Sequence, residues 1–433
     1  MNSYKTEPEE FLKDIFKIAV KAAYPEFSKL GSGFPNPPLG RTIVVGAGKA
    51  AGSMAQSFER VAKQRWSEQA YSRLTGLVVT RYQHGLDCER IEVIEASHPI
   101  PDEAGERAAH QILEAVQNLS VDDLVICLIS GGGSALLTIP ADGLTLKEKK
   151  SINKQLLQSG ASISEINCVR KHLSKIKGGR LTKYCHPAKV LTYLISDVPG
   201  DDPSVIASGP TLPDMSTCED ALEIIHQYGI EISDQTRCNL EQGAYESPKP
   251  TDPEFQNLEP VTVLSTAESA LNAVREYALT QGLQAVILSD SIEGEAKDVA
   301  KVHGAMASWI REKDSFLRKP CLLISGGETT VTVRGNGRGG RNAEFLLSLL
   351  QVIDGKSGIY ALAADTDGID GSENNAGAFF NPETLEDGLS QGLSPKSYLT
   401  DNDAYSYFEK LNKLLITGPT RTNVNDFRAI LIV

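Results

Sequence analysis

The sequence carries no surplus of positive charge. Its 433 residues contain 43 Lys and Arg against 56 Asp and Glu, which gives a formal net charge of −13. Nucleic-acid binding depends on basic groups that displace counterions from phosphates, so the composition argues against a nucleic-acid partner. A local cluster of cations could still bind a small anionic substrate, because the local field can differ in sign from the net charge.

Long apolar runs and metal-binding spacings are also missing. No apolar run reaches the ~18 residues of a membrane helix, and residues 1–16 are charged and amphipathic, unlike a secretory signal. The seven cysteines include no CxxC pair, and the seven histidines lack HExxH spacing. We therefore expect a cytoplasmic protein with no membrane span, and reduced thiols rather than disulfides or a zinc site.

Strand-like apolar runs alternate with helical patterns along the first half of the chain. This alternation is typical of parallel βαβ units. The predicted helices are residues 9–23 and 50–63, and the predicted strands are 42–45, 77–80 and 124–129.

The second half repeats this alternation with one difference. Predicted strands are residues 261–264, 285–288, 321–324, 329–333, 359–363 and 429–432. Residues 325–328, Ser-Gly-Gly-Glu, separate two of these strands by a hairpin spacing, so we expect a mixed sheet. Residues 242–260 are rich in proline and polar residues, and they predict a boundary between domains 1–248 and 249–433.

Residues 191–211 form the most informative segment. An apolar strand pattern stops at Asp197, and Asp201 and Asp202 follow a Pro-Gly turn. Loops at the carboxyl ends of parallel strands line the ligand crevice of α/β sheets. Carboxylates there suit a metal–nucleotide complex or a general base for a substrate hydroxyl, whereas a single Asp could equally lie in an exposed acidic turn.

Two glycine-rich turns follow predicted strands. Residues 44–53, VVGAGKAAGS, place Lys49 where it could act as a point charge for a phosphate, although an exposed lysine is the ordinary alternative. A dinucleotide site is weakly supported here, because the spacing is GxGxxxG and Thr80-Arg81 stands where a ribose-binding acid is expected. The second turn, residues 130–134, could donate backbone N–H groups.

Residues 334–344 and 363–377 favour a ligand site in the second half. The first segment holds Arg338 and Arg341 among glycines, which indicates an anion site rather than a disordered tail. The second carries Asp365, Asp367 and Asp370 but departs from an EF-hand at three positions. These carboxylates would more naturally hold Mg²⁺ or bind sugar-like hydroxyls.

Residues 166–181 predict a basic helix ending at a Gly-Gly C-cap. Arg170 and Lys175 could reach a ligand or could simply complement the helix dipole, and both interpretations stay open. The known kinase signatures are missing: Leu350 occupies the first glycine position of a P-loop ending at residues 355–357, and no HRD or DFG motif occurs. If the chain handles ATP, it uses another fold.

Taken together, these motifs resemble the glycerate 2-kinases whose C-terminal part is called the MOFRL domain. The resemblance covers nearly the whole chain, through residues 45–55, 97–105, 128–137, 167–181, 196–211, 324–342, 363–371 and 417–427. It implies two α/β domains around a cleft, the N-terminal one Rossmann-like with a parallel sheet and the C-terminal one of the MOFRL type.

The resemblance also implies an activity, which is ATP-dependent phosphorylation of D-glycerate at its 2-hydroxyl, giving 2-phosphoglycerate and ADP with Mg²⁺. It places the catalytic groups on Lys49, Asp197 and one arginine, Arg338 or Arg341. Asp197 and Asp365 are the candidate Mg²⁺ ligands. The expected substrate- or nucleotide-binding residues are Gly48, Ser130, Gly131, Gly132, Gly133, Ser134, Arg170, Lys175, Asp201, Gly326, Gly327, Glu328, Asn342, Asp365 and Asp367.

The chain departs from the family pattern at a few positions. Arg421 replaces a common glycine, Ala343 a common glutamine, and Asn374-Asn375 a commoner acidic pair, which bears on substrate range more than on reaction type. Two alternatives are an NAD(P)-dependent hydroxypyruvate or tartronate-type reductase and a non-catalytic sugar-acid sensor. Enzymes of this kind are often dimers, which leaves a homodimer as one option.

Overall fold

The computed structural model describes residues 3–313 and 317–433. The chain forms two compact units. We call residues 25–264 the central unit and residues 1–24 with 265–433 the terminal unit. None of the helices within the described ranges is both long and apolar enough to cross a bilayer.

The chain begins with helices α1 (Ser3–Thr6) and α2 (Pro8–Ala23) of the terminal unit and then enters the central unit. The central strands are β1 (Thr42–Ala47), β2 (Leu74–Arg81), β3 (Ile91–Ala96), β4 (Leu124–Ile129), β5 (Lys189–Ile195) and β6 (Thr262–Ser265). The central helices are α3 (Ala51–Arg65), α4 (Glu68–Ser72), α5 (Glu103–Ala115), α6 (Gly133–Leu136), α7 (Leu146–Ser159), α8 (Ile163–His172), α9 (Arg180–Cys185), α10 (Cys218–Gln227) and α11 (Asp234–Glu241). Short 3-10 helices span Phe27–Gly33, Pro199–Asp201, Ile206–Ser208 and Pro253–Phe255.

The central sheet has the strand order β3-β2-β1-β4-β5-β6. Strand β1 pairs in parallel with β2 and β4, so that Thr42 lies opposite both Leu74 and Leu124. The pairs β2–β3 and β4–β5 are parallel as well. All residues of β1 and β4 are buried, which explains why both strands consist of continuous apolar runs. The predicted Rossmann-like sheet is confirmed.

Helices α7, α8, α10 and α11 of the central unit share a second apolar core. Ile152, Leu156, Val169, Ile225 and Leu240 belong to it. Helices α8 and α10 begin with capping boxes, Ser162 with Glu165 and Thr217 with Asp220.

The predicted helix over residues 166–181 with a Gly-Gly C-cap is wrong. Helix α8 ends at His172, and Gly179 is instead the N-cap of α9. Gly178 and Gly179 have φ values of 56° and 81°, a left-handed conformation that favours glycine before a helix as well as after one.

The terminal unit continues with α12 (Ala267–Thr280), α13 (Ala296–Glu312), α14 (Arg341–Ile353), α15 (Thr384–Ser390), α16 (Pro395–Thr400) and α17 (Ala404–Lys410). Its strands are β7 (Gln284–Glu295), β8 (Cys321–Thr330), β9 (Ile359–Asp365), β10 (Gly377–Phe380), β11 (Leu414–Leu415) and β12 (Asp426–Ile432). Their order is β11-β10-β9-β12-β8-β7. Strands β7 and β8 are parallel, while β12 runs antiparallel to both β8 and β9, so the predicted mixed sheet is confirmed.

The predicted hairpin at residues 325–328 is wrong. These residues lie inside β8, where Gly326 pairs with Phe427 of β12 and Gly327 pairs with Ile292 of β7. A Cβ atom at Gly327 would lie 2.2 Å from the Ile292 backbone nitrogen. The glycine therefore allows close approach of two strands, a need that has the same sequence signature as a turn.

The division into units also differs from the predicted boundary between residues 248 and 249. Helix α2 belongs to the terminal unit, where Phe11 stacks on Tyr277 with 6.3 Å between ring centroids and Phe16 lies 5.8 Å from Phe427. Local sequence shows that α2 is amphipathic but not which surface covers its apolar face.

The proline-rich segment behind the predicted boundary stays in the central unit. Arg180 NH2 donates to the Tyr245 carbonyl at 2.6 Å, and Asp214 N donates to the Pro248 carbonyl at 2.9 Å. The proline and polar residues of this segment correctly predicted irregular structure. They did not show that hydrogen bonds hold the segment against the central unit.

We expect Phe11→Ala to destabilise the protein by about 3–5 kcal/mol, because it removes a fully buried aromatic ring. Urea unfolding followed by circular dichroism measures this loss. Leu39→Ala is the matched control, since Leu39 is 81% exposed. Equal stability of the two variants would show that α2 is dispensable for the terminal unit.

Candidate active site

The order of the central sheet reverses between β1 and β4. Strands β2 and β3 continue the sheet on one side, and β5 and β6 on the other. Ligands of open α/β sheets bind outside the carboxyl ends of the strands at such a switch point. Gly48 and Lys49 follow β1 there, and Ser130 to Gly133 follow β4.

Hydrogen bonds join these two loops. Lys49 N donates to the Gly131 carbonyl at 2.8 Å, and Ala50 N donates to Ser130 Oγ at 3.0 Å. Gly48 has φ of 141°, and a Cβ atom on it would lie 2.1 Å from Ser130 Oγ. Gly48 and the fully buried Ser130 thus hold the loops together, and this fixes where the backbone of Lys49 lies.

Lys49 and His98 flank Gly132. Gly132 has φ of 79°, and a Cβ atom there would lie 3.0 Å from His98 Nε2 and 3.2 Å from Lys49 Cγ. Both side chains are half-buried. His98 lies in residues 97–105, one of the family-like segments, but its position beside Lys49 depends on the pairing of separate loops and was not predicted.

A hydroxyl chain continues from the second loop. Ser134 Oγ lies 2.9 Å from Ser208 Oγ, and Ser208 Oγ donates to Asn167 Oδ1 at 2.9 Å. Because the Ser208 proton points to Asn167, Ser134 is the donor to Ser208. Ala207 and Ser208 adopt φ values of 52° and 60°, and such strain of about 1–3 kcal/mol per residue is concentrated at functional sites. Asn167 and Ser208 were not predicted as site residues.

Asp197 follows β5, the strand next to β4, and therefore lies at the same edge of the sheet as the two loops. It is half-buried, as is Asp201, which has a left-handed φ of 54°. The role of these carboxylates in binding or catalysis stays a prediction.

The predicted cations of residues 166–181 separate in the structure. Arg170 lies one helical turn from Asn167 on α8, and its Nε donates to Asn153 Oδ1 at 2.9 Å. Burial lowers the pKa of the Arg170 guanidinium. Lys175 Nζ instead lies 2.8 Å from the exposed carboxylate of Asp142, in a surface depression also lined by Arg180. Lys175 is thus held by an acid outside the loops that follow β1 and β4.

Two buried lysines support the segment behind the second loop. Lys177 Nζ donates to the Leu137 carbonyl at 2.6 Å, and Lys149 Nζ donates to the Ile139 carbonyl at 3.2 Å. Burial, followed by repulsion from Arg180 and Arg170, lowers the pKa of Lys149 to about 7. Burial also lowers the pKa of Lys177.

In the terminal unit, Arg341 lies among three carboxylates. It is the first residue of α14, and its nitrogens lie 2.6 Å from Asp426 Oδ1, 2.7 Å from Glu328 Oε1 and 2.9 Å from Asp365 Oδ2. The acids come from the ends of β8 and β9 and the start of β12, which share one sheet edge. Burial alone would lower the pKa of Arg341, but Asp426, Asp365 and Glu328 raise it well above its usual value.

A second buried arginine completes this cluster. Arg428 donates to Asp426 and to the Gly326 carbonyl. Burial would raise the pKa of Asp426, yet Arg341 and Arg428 hold it below its usual value. Three carboxylates face two guanidinium groups, so the cluster has one excess negative charge and suits a cation better than an anion.

The remaining predicted residues of the terminal unit form the scaffold of this cluster. Asn342 is fully buried, and its backbone N and that of Ala343 donate to Asp370 at 2.9 and 2.8 Å. Burial raises the pKa of Asp370 to about 6. Gly326 and Gly327, which were expected to bind substrate or nucleotide, are residues of strand β8 and not of a turn.

Arg338 is engaged differently from Arg341. It is nearly half exposed, with NH2 3.0 Å from Glu409 Oε2 and NH1 3.5 Å from Glu373 Oε2, and its guanidinium lies 4.6 Å from the Tyr405 ring centroid. Both arginines predicted to bind an anion therefore contact acids of their own unit.

Comparison with known proteins identifies the relatives of this chain. Residues 6–241 match the family described as a domain of unknown function, DUF4147, and residues 321–426 match the MOFRL family. The D-glycerate 2-kinase of Thermotoga maritima is 39% identical over 99% of this chain and 100% of that protein. The chain belongs to the glycerate kinase family.

Two further relatives complete the comparison. A crystal structure of glycerate kinase from Thermotoga maritima matches with a TM-score of 0.85 at 39% identity, covering 98% of this chain and 99% of that one. An Agrobacterium vitis protein that carries hydroxypyruvate reductase as a provisional name is 47% identical over 98% of this chain and 94% of that protein. Both name types thus occur among full-length relatives.

A glycerate kinase uses ATP, and a nucleotide-bound Mg²⁺ prefers carboxylate and water oxygens. Glu328 and Asp365 offer such oxygen donors beyond those used by Arg341, whereas both oxygens of Asp426 are already taken by Arg341, Asn342, Thr329 and Arg428. The excess negative charge of the cluster fits a dication as well. The residues of the terminal unit are therefore compatible with Mg²⁺.

We expect Arg341→Ala to lower the free energy of unfolding by about 3–5 kcal/mol, because it leaves the buried Asp426 and Asp365 with one counter-charge fewer. Arg338→Ala is the matched control from the same loop and should leave stability nearly unchanged, since its ion pairs are exposed. Chemical denaturation of both variants measures the difference. Equal losses would refute the assignment of Arg341 as the organiser of the cluster.

The contribution of Lys149 to the free energy of unfolding should rise between about pH 7 and pH 10. In this range the unfolded chain binds more protons at Lys149 than the folded chain does, because the folded pKa is lowered from 10.5 to about 7. Lys149→Met should flatten this rise, while Lys147→Met, an exposed neighbour on α7, should not. Urea unfolding at several pH values tests this, and an unchanged slope in Lys149→Met would contradict it.

Proposed function

We propose that this chain transfers the γ-phosphoryl group of ATP to the 2-hydroxyl of D-glycerate, giving 2-phosphoglycerate and ADP. The full-length match to a D-glycerate 2-kinase supports this most directly. Phosphoryl transfer requires little covalent chemistry from the protein, so alignment and charge neutralisation dominate. The residues described at each sheet edge are the candidates for these tasks.

In this proposal Lys49 balances negative charge on the transferred phosphate or on the glycerate carboxylate. Its backbone is fixed by the bond to Gly131, which limits the entropy lost when its ammonium group engages an anion. The backbone N–H groups of Gly131 and Gly132 would donate to substrate oxygens beside it. Ser134, held by Ser208, adds a hydroxyl at the same edge.

Asp197 acts on the substrate hydroxyl. It would orient the 2-hydroxyl and accept its proton, or hold Mg²⁺, and both roles suit a half-buried carboxylate at the end of β5. A base would contribute about 10²–10⁴-fold to the rate. Arg170, on the same face of α8 as Asn167, is a further candidate for the carboxylate of the substrate.

The carboxylates around Arg341 hold Mg²⁺ in this proposal, with Asp365 and Glu328 as ligands and Asp367 beside them. Asp365 Oδ1 accepts the Asp367 backbone N–H at 2.9 Å, which fixes its orientation. Arg341 is then a positioning residue rather than the anion-binding group, whereas the more exposed Arg338 could still contact a phosphate. The bound Mg²⁺ would neutralise nucleotide charge.

A reductase is the second candidate, because a close relative carries that provisional name and the sheet has the order of dinucleotide-binding folds. The end of β2 argues against it. Thr80 is buried there and donates to the Lys49 carbonyl at 3.2 Å, in the place of the acid that binds the adenosine ribose. The backbone N–H of Gly48, in the same loop as Lys49, donates to the Val79 carbonyl.

The proposal also includes a cytoplasmic location and a homodimer as expectations about the protein. The seven free cysteines favour a reducing cytoplasm. A homodimer stays a prediction that light scattering can test. The absence of a basic surplus makes small molecules, D-glycerate and ATP, the expected partners.

The test is incubation of the protein with ATP, Mg²⁺ and D-glycerate, with ADP formation as the readout, alongside a fluorescence titration with NADH and NADPH. We expect glycerate-dependent ADP release and no saturable binding of either nicotinamide nucleotide. Saturable NADH binding with no ADP release would favour the reductase. Tight glycerate binding without turnover would favour a sensor.

We expect Lys49→Ala to lower kcat by about 10²–10³-fold, as the loss of one preorganised charge does at comparable sites. Asp197→Asn should lower kcat at least as strongly. Lys63→Ala, an exposed lysine on α3, is the matched control. Circular dichroism confirms folding, and near-normal turnover in both site variants would remove Lys49 and Asp197 from the active site.

A further inference from the structure

Three side chains with metal-binding atoms meet in the central unit, outside the residues used above. His172, Cys218 and Glu246 offer nitrogen, sulfur and oxygen atoms that all lie within 4.8 Å of one another. His172 is the last residue of α8, Cys218 is the first residue of α10, and Glu246 follows α11. The spacing along the chain gives no metal-binding motif, since the three residues are far apart in sequence.

The histidine is oriented as a metal ligand. His172 Nδ1 lies 2.8 Å from the Cys168 carbonyl, a contact that places the ring proton on Nδ1 and leaves the lone pair of Nε2 facing the cluster. The ring is fully buried and cannot turn towards solvent. Nε2 lies 3.4 Å from Glu246 Oε1, close to the separation of about 3.3 Å between nitrogen and oxygen ligands of tetrahedral zinc.

The cysteine and the carboxylate are already joined. Cys218 N donates to Glu246 Oε2 at 3.0 Å, and burial followed by the Glu246 charge raises the pKa of the Cys218 thiol to about 12. Without a metal the thiol keeps its proton. Coordination would form a metal–sulfur bond and release that proton to solvent, as zinc does at other thiol ligands.

The ammonium group of Lys249 lies beside Glu246, where a metal ion would bind. Lys249 Nζ lies 2.5 Å from Glu246 Oε1, contacts Ser247 Oγ at 3.0 Å and also donates to the Ser216 carbonyl. Lys249 and Glu246 both line a surface depression that also contains Asp252, Arg180 and Lys183, so a dication reaches the cluster from this side only when Lys249 moves out into solvent. Lys249 is therefore a competitor for the metal rather than part of the site.

We propose that His172, Cys218 and Glu246 form a binding site for a dication of the zinc class, with water as the fourth ligand. Mixed nitrogen, sulfur and oxygen donors favour Zn²⁺ over Mg²⁺ or Ca²⁺. The bound ion links the end of α8 to the start of α10. It acts on stability, because α8 and α10 share the second apolar core of the central unit.

The test titrates the chelator-treated full-length protein with Co²⁺ and with Zn²⁺ alone. We expect a thiolate-to-cobalt charge-transfer band that saturates at one ion per chain and is removed by Zn²⁺. Zinc at 100 times its dissociation constant should raise the unfolding temperature by about 3 °C. Absence of both the band and the temperature shift in the wild-type protein would overturn the proposal.

Variants separate a metal site from a hydrogen-bond cluster. Cys218→Ser and Glu246→Gln should lose the zinc-dependent temperature shift, while Cys238→Ser, a cysteine of α11 outside the cluster, should keep it. Lys249→Met should tighten binding by up to about fivefold, because it removes a competing surface ion pair. A band that persists in Cys218→Ser, or weaker binding in Lys249→Met, would contradict the assignment.

Discussion

Two hydrogen bonds join the loops that follow β1 and β4, and the geometry of the central site depends on them. The bond from Lys49 N to Gly131 and the bond from Ala50 N to Ser130 Oγ require Gly48 to have no side chain. Because both loops start from fully buried parallel strands, their positions are set by the sheet. A cation on one loop is thereby placed beside backbone donors of the other before any ligand binds.

The net charge at the sheet edge of the terminal unit has the opposite sign to the charge of Lys49 at the central site. This edge gathers more carboxylates than arginines, and Arg341 satisfies acids from three strands at once. An arginine saturated in this way organises its neighbours rather than recruiting an anion. The central unit presents a lysine and backbone donors, and the terminal unit presents oxygen ligands for a cation.

The parts of the fold set by local chemistry could be predicted from the sequence, and those set by long-range packing could not. Residues 124–129 were predicted as a strand with the observed bounds, because a fully buried parallel strand is a continuous apolar run. Gly327 was misread as part of a turn, since a glycine between close strands looks the same as a glycine in a hairpin. His98 beside Lys49, Ser208 beside Ser134, and the meeting of His172 with Cys218 depend on chain crossings that local patterns do not encode.

The phosphorus NMR spectrum of the product formed from ATP and D-glycerate tests the account most directly. A phosphate on the 2-hydroxyl is attached to a carbon with one hydrogen, so its resonance splits into a doublet. A phosphate on the 3-hydroxyl is attached to a CH₂ group and gives a triplet. The account predicts the doublet, formed only in the presence of the protein. A triplet would contradict the chosen acceptor, and no new phosphorus resonance would contradict phosphoryl transfer itself.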